Sequence, residues 1–198
     1  MTIDCKIQSI VEEELEKACL KWNPNSGIAI AMNPSTGEVL AMANYPTFNP
    51  NFVRDSNVEQ RRNRAITDCF EPGSLIKPLI ISSALDNGLV KEDETIFCYN
   101  GAYKVNGGRR VIRDSHSHGD LSVSDIVVHS SNIGMAQLGQ RIKKRRLHGY
   151  LKDFAFGEKT GIQLPGEVRG IVRPLKLWSV DSEISISDRK STRLNSSH

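Results

Sequence analysis

Residues 3–46 constrain the fold most. From Ile3 to about Trp22, apolar Ile7, Ile10, Val11, Leu15, Ala18 and Trp22 recur three and four apart, with Glu12, Glu13, Glu14 and Glu16 filling most of the gaps. That spacing predicts an amphipathic helix. The stretch "WNPNSG" stops it, and "GIAIAMNPSTGEVLAMANYP" follows as two short apolar runs around Asn33-Pro34-Ser35-Thr36-Gly37, which is hairpin punctuation. The chain therefore opens with a helix and two strands lying side by side.

Beyond the hairpin, "TFNPNFVRDSNVEQRRNRAITDCFEPG" has no sustained period and is rich in Asn, Arg and Pro, so it reads as a long loop with local turns. Loops of this length usually carry function. Helical spacing returns after Gly73 in "SLIKPLIISSALDNG", closed by Asn87-Gly88, which puts Ser74 at or beside a helix start. Turn signals at Asn100-Gly101 and Gly107-Gly108 predict short strands and connections between Val90 and Gly119. Ser122-Val123-Ser124-Asp125 matches a capping box. The helix it opens gives way to a second, "NIGMAQLGQRIKKRRL", with Ser130-Ser131-Asn132 at the junction.

Composition restricts the function classes. A chain of 198 residues with 38% hydrophobic residues can bury a core and fits one domain or part of one. It holds no run of the roughly 18 to 20 apolar residues that a membrane helix needs, and its N-terminus lacks the apolar stretch of a signal peptide. The net charge is +3, and most of it comes from the last eleven residues. The basic run Arg141, Lys143, Lys144, Arg145, Arg146 reads as a solvated helix end; with 6% aromatics and no stacking motif, no nucleic-acid partner is expected. Cys5, Cys19, Cys69 and Cys98 form no C-x-x-C pair, and His116 and His118 have no third ligand at a useful spacing, so no metal is expected.

Two patterns point to chemistry. Ser74-Leu75-Ile76-Lys77 is an S-x-x-K tetrad. Residues three apart on a helix share a face, so the Lys77 ammonium can fold back over the Ser74 hydroxyl. The helix start favours a developing alkoxide. Apolar Leu75, Ile76 and Leu79 are expected to desolvate Lys77 and bring its pKa down from about 10.4 toward the 7 to 8 of a general base. Taken alone, the tetrad is also an ordinary N-cap pattern, and a second match stands at Ser187-Asp188-Arg189-Lys190. Ser130-x-Asn132 is the only S-x-N in the chain. Its hydroxyl can relay protons and its amide can hold a peptide group, although a Ser/Asn helix boundary is the alternative.

Four blocks, "IAIAMNPSTGEVLAMANYPTFNPN", "RNRAITDCFEPGSLIKP", "HGDLSVSDIVVHSSNIGMAQLG" and "FGEKTGIQLPGE", occur in this order. Together they closely resemble the transpeptidase domain of class B penicillin-binding proteins, over residues 2 to about 187. The resemblance implies an α+β fold in which an antiparallel sheet flanked by helices adjoins an all-helical subdomain. By resemblance, Ser74 is the acylated nucleophile, Lys77 its base, Ser130 the proton relay and Asn132 the residue that positions the donor peptide. The implied function is peptidoglycan D,D-transpeptidation through a serine acyl-enzyme that β-lactams also form, without cofactor. The implied partners are D-Ala-D-Ala stem peptides and a glycan polymerase in a wall-synthesis complex, on the outer face of a bacterial membrane. A β-lactam sensor or penicillin-binding module and, less favoured, a serine β-lactamase are the alternatives.

The same resemblance separates Lys159-Thr160-Gly161 from the family's catalytic K-T-G, which lies on a strand further downstream. Gly157, Gly161, Gly166 and Pro165 break the stretch into turns, leaving no alternating strand. The likeness stops after "LWSVDSEISIS", and residues 188–198, "DRKSTRLNSSH", match the translation of a common sequencing-adapter string, with a natural polar terminus as the alternative. A partial transpeptidase domain over 1–187 followed by a non-native tail is therefore expected, with the membrane anchor upstream.

Overall fold

The computed structural model describes residues 2–105 and 110–179. The Gly107-Gly108 turn signal, the second S-x-x-K match and the tail from residue 188 lie outside them. The chain forms two compact units, one of residues up to Asp68 with Ile162–Val168, the other of Cys69–Gly161 with the residues from Arg169.

In the first unit, helix α1 spans Cys5–Trp22. It starts two residues later than its apolar period, because the Asp4 carboxylate caps it by accepting from the N–H groups of Lys6 and Ile7 at 2.9 and 3.0 Å. It ends where Asn23 turns left-handed at φ +47°. Strands β1 (Gly27–Met32) and β2 (Val39–Tyr45) pair antiparallel, with Ala31 opposite Ala41. Ala41 and Ala43 are buried, and a Cβ on Gly27 would stand 2.7 Å from Cys19 Sγ, so small residues let α1 lie close on this face. On the other face, Ile28, Ile30 and Met32 are exposed. The stretch read as a loop with local turns contains two single-turn helices, α2 (Val58–Arg61) and α3 (Arg64–Thr67). Buried Arg64 donates to the Glu59 carbonyl at 2.8 Å and to its carboxylate at 2.7 Å.

In the second unit, a 3₁₀ turn at Gly73–Leu75 leads into α4 (Ile76–Asp86). Four short strands follow: β3 (Thr95–Phe97), β4 (Ala102–Lys104), β5 (Val111–Arg113) and β6 (Asp120–Ser122). They form two antiparallel ladders, β3 with β6 and β4 with β5. Helix α5 (Val123–Val128) then leads to α6 (Asn132–Asp153). Ser122 caps α5 as the sequence motif requires, accepting from Asp125 N–H at 3.0 Å. Its hydroxyl also donates to the Asp125 carboxylate at 2.7 Å, which holds that carboxyl below its ordinary range. Ile76, Ile80, Ile126, Ile133, Leu138 and Ile142 form the centre of the core.

Helix α6 runs past Leu147, where the sequence pattern ends, and is interrupted at Lys143 (φ +70°, ψ 148°). At 3.6 residues per turn, an unbroken helix would carry the stripe of buried Ile142 onto Arg145 and Arg146. The interruption resets the phase, so Leu147, Tyr150 and Leu151 are buried while both arginines stay exposed.

Two glycines of α6 make opposite predictions. A Cβ on Gly134 would meet Ile126 Cδ1 and Cγ1 at 2.6 Å, whereas one on Gly149 would meet nothing within 4 Å. Gly134→Ala should lower stability by about 1–3 kcal/mol through overpacking, and Gly149→Ala should raise it by roughly 0.5–1 kcal/mol. Urea unfolding of both variants checks this; equal effects would contradict the packing described.

Candidate active site

All four residues singled out by the sequence lie in the second unit, and the structure brings them together. Gly73, left-handed at φ +57°, starts the turn that presents Ser74. Lys77 follows one turn later inside α4 and is 1% exposed. Pro78 sits in the first turn of that helix, where its missing N–H costs nothing.

The S-x-N residues are placed by the end of α5. Ser130 N–H donates to Val127 O and Ser131 N–H to Ile126 O, both at 3.0 Å. These are the two bonds of a Schellman motif, in which the residue after the cap is left-handed and usually glycine. Here it is Ser130, at φ +52°. A side chain in that conformation costs on the order of 1–2 kcal/mol, and such strain concentrates at functional sites. Ser131, buried, caps α6 through Gly134 N–H at 2.9 Å.

The Lys77 ammonium connects the two segments. Its Nζ donates to Ser130 O at 2.6 Å, to Asn132 Oδ1 at 2.9 Å and to Ser130 Oγ at 3.1 Å. Ser130 Oγ in turn donates to Ser74 Oγ at 3.0 Å. The Ser130 hydroxyl thus stands between amine and candidate nucleophile, a continuous path for a proton. The side chains around Lys77 differ from expectation in one respect. Ile76 is buried and Leu79 half-buried, but Leu75 is 74% exposed and cannot shield the ammonium. One residue off the helical stripe, it points to solvent beside Ser74.

Asp114, which no sequence pattern marks, belongs to this cluster: its carboxylate accepts from Ser131 and from the backbone of Asn132 and Ile133. Its only signal is an isolated acid in a turn-rich loop, 17 to 19 residues from its partners. Beneath it, buried Cys98 has its Sγ 3.6 Å from Ser131 Oγ, and burial pushes its thiol pKa up, favouring the neutral form.

Lys159, Thr160 and Gly161 are exposed and lie in no strand, and Gly157 and Gly161 are left-handed, with φ of +88° and +79°. All four cysteines are free. His118 stacks on His129, ring centroids 4.7 Å apart. Among the described residues no group of three or more His, Cys, Asp or Glu could hold a metal ion, and no helix is long and apolar enough to cross a membrane.

An α+β chain with a serine, a buried lysine and an S-x-N turn in contact defines a class of domain, and comparison with known proteins specifies it. A sequence model of the penicillin-binding protein transpeptidase domain matches residues 27–192, and the chain belongs to that family. It is 39% identical over 178 residues to stage V sporulation protein D of Bacillus subtilis, covering 89% of this chain and 27% of that protein. To the peptidoglycan D,D-transpeptidase FtsI of Escherichia coli K12 it is 35% identical over 179 residues, covering 90% and 30%. The transpeptidase domain of penicillin-binding protein 3 from Burkholderia pseudomallei, solved without ligand, superposes with a TM-score of 0.83 at 31% identity, over 96% of this chain and 52% of that one. The chain thus spans about a third or less of the length of these two curated relatives.

The left-handed Ser130 gives a direct test of the turn. Ser130→Gly and Ser130→Ala both remove the hydroxyl, but only glycine relieves the backbone. In thermal unfolding the glycine variant should be the more stable by about 1 kcal/mol. A more stable alanine variant would contradict the left-handed turn.

Proposed function

We propose that the chain is part of the catalytic domain of a peptidoglycan D,D-transpeptidase and that Ser74 is its nucleophile. The observation carrying this reading is the Ser74–Ser130–Lys77 path, with hydrogen bonds of 3.0 and 3.1 Å. With Lys77 as the neutral amine, the Ser130 hydroxyl turns to donate to Nζ and accepts the proton of Ser74. Ser74 Oγ then forms a bond to the carbonyl carbon of the penultimate D-Ala, and the peptide bond breaks. The same relay returns the proton to the leaving D-Ala amine. An amine of a neighbouring stem peptide attacks the ester, completing the cross-link and regenerating Ser74. Hydroxyls, an amine and oxyanion donors suffice for acyl transfer, so the proposed step uses no cofactor. Asn132 holds the donor peptide's backbone, and β-lactams acylate the same Ser74.

The names of the relatives, a peptidoglycan D,D-transpeptidase among them, support the transpeptidase reading; we propose with it a site of action on the extracytoplasmic face of the membrane, beside a glycan polymerase. We further propose that the exposed Lys159-Thr160-Gly161, which lies in no strand, is not the catalytic K-T-G. The strand bearing the catalytic motif would supply one backbone donor of the oxyanion hole, whose loss costs about 10²- to 10³-fold by itself.

Two tests use benzylpenicillin or its fluorescent derivative. In a full-length protein carrying this segment, Ser74→Ala and Lys77→Ala should abolish the covalent adduct, and Lys159→Ala should leave acylation within several-fold. A loss at Lys159 as deep as that at Lys77 would overturn the assignment. Residues 1–198 expressed alone should form no stoichiometric adduct by intact-mass spectrometry; a single adduct on Ser74 would show that the segment is self-sufficient.

A further inference from the structure

The S-x-N turn is gripped from two sides, and only one side is the lysine. Opposite it stands the dipeptide Arg113-Asp114, at the end of β5. Asp114 Oδ1 accepts the N–H of Asn132 at 2.6 Å and of Ile133 at 3.1 Å. Its Oδ2 accepts the Ser131 hydroxyl at 2.6 Å. The carbonyl of Arg113 accepts from Asn132 Nδ2 at 3.0 Å. Four bonds to residues 131–133 thus come from two consecutive residues, and β4 with the turn before it holds those two in place: Arg113 pairs with Ala102, and Asp114 N–H donates to Gly101 O at 3.3 Å.

We infer that Asp114 is a positioning residue for acyl transfer, acting through Ser130 and Asn132; this rests on the function proposed above. Three considerations lead there. Ser130 is left-handed, a conformation that persists only where its surroundings over-determine it. The Schellman bonds fix its N-terminal side, and Asp114 fixes the residues after it. Second, a carboxylate at the start of a 22-residue helix meets exposed N–H groups and the positive end of the helix dipole. Charge-assisted bonds of this kind are the strong ones, so the clamp is stiff. Third, the clamp sets the Asn132 amide. With Nδ2 on the Arg113 carbonyl, Oδ1 faces Lys77, and the second amide hydrogen is the one a bound peptide carbonyl would accept. Flipping the amide would set its NH₂ against the lysine. The orientation needed to hold a peptide carbonyl is therefore imposed by β5 and Asp114 as much as by Lys77.

The carboxylate touches neither nucleophile nor lysine in any of these bonds, so its removal should act on geometry. A misplacement of about 1 Å can cost up to about 10²-fold in rate. The test is rapid-mixing acylation by benzylpenicillin in a full-length protein carrying this segment, resolving non-covalent affinity from the acylation rate constant, per folded molecule. Asp114→Ala should slow acylation by about 10- to 100-fold while non-covalent affinity changes by less than about threefold. Asp114→Asn keeps an oxygen for both N–H groups and should recover to within about threefold of the parent. Ser131→Ala, which leaves those two bonds in place, should fall between. An Asp114→Ala variant acylated at the parent's rate overturns the inference, as does an Asp114→Asn variant as slow as Asp114→Ala. If Asp114→Ala does not fold, Ser131→Ala decides, and the parent's rate there overturns it. A parent that forms no adduct on Ser74 overturns the function proposed above and this inference together; an adduct that forms regardless of Asp114 overturns this inference alone.

Discussion

The hydrogen bonds of the buried Lys77 Nζ are the interaction on which the candidate site depends. Placing a polar group where it is 1% exposed costs roughly 1–3 kcal/mol unless its donors find acceptors. Ser130 O, Ser130 Oγ and Asn132 Oδ1 supply them, all from a turn 53 to 55 residues away. The need to satisfy one lysine therefore draws α4 and the α5–α6 junction together. The same three bonds put the Ser130 hydroxyl beside Ser74. Stability and the proposed reactivity rest on one set of contacts, which is why a strained serine can occupy a position that would otherwise favour glycine.

The helices around this contact are built for close approach. Gly134 lets α6 meet Ile126 of α5 without a gap, and the interruption at Lys143 turns the second half of α6 so that Leu147, Tyr150 and Leu151 also reach the core. Each feature departs from local preference: a glycine in a helix, a left-handed lysine, a left-handed serine. Local rules are broken where packing or the site gains from it. In the first unit the rules hold better, with Asp4 capping α1 and small residues under it.

How much could be read from the sequence follows from range. The α1 period, the Asn33–Gly37 hairpin and the Ser122 cap are local signals, and each is found within a residue or two of where the sequence puts it. S-x-x-K and S-x-N were legible as short patterns, and the family resemblance joined them. Nothing local reveals that Lys77 reaches the turn rather than remaining over its own helix. Asp114 is illegible for the same reason, since its partners lie on another element and a lone acid among turn residues has no period. Leu75 is apolar yet exposed, because the facing of the 3₁₀ turn and not apolar identity decides its burial. The break at Lys143 has no sequence marker of its own; it follows from the need to keep Arg145 and Arg146 out of the core.

The central claim is that this cluster transfers a peptidyl group and does not merely capture penicillin. Incubating a full-length protein that carries this segment with a D-Ala-D-Ala pentapeptide, and measuring free D-Ala, tests it most directly. The account predicts D-Ala release that stops once benzylpenicillin occupies Ser74. Acylation of Ser74 by penicillin without any D-Ala release, as a sensor would show, or rapid hydrolysis of the penicillin itself, as a β-lactamase would show, would contradict it.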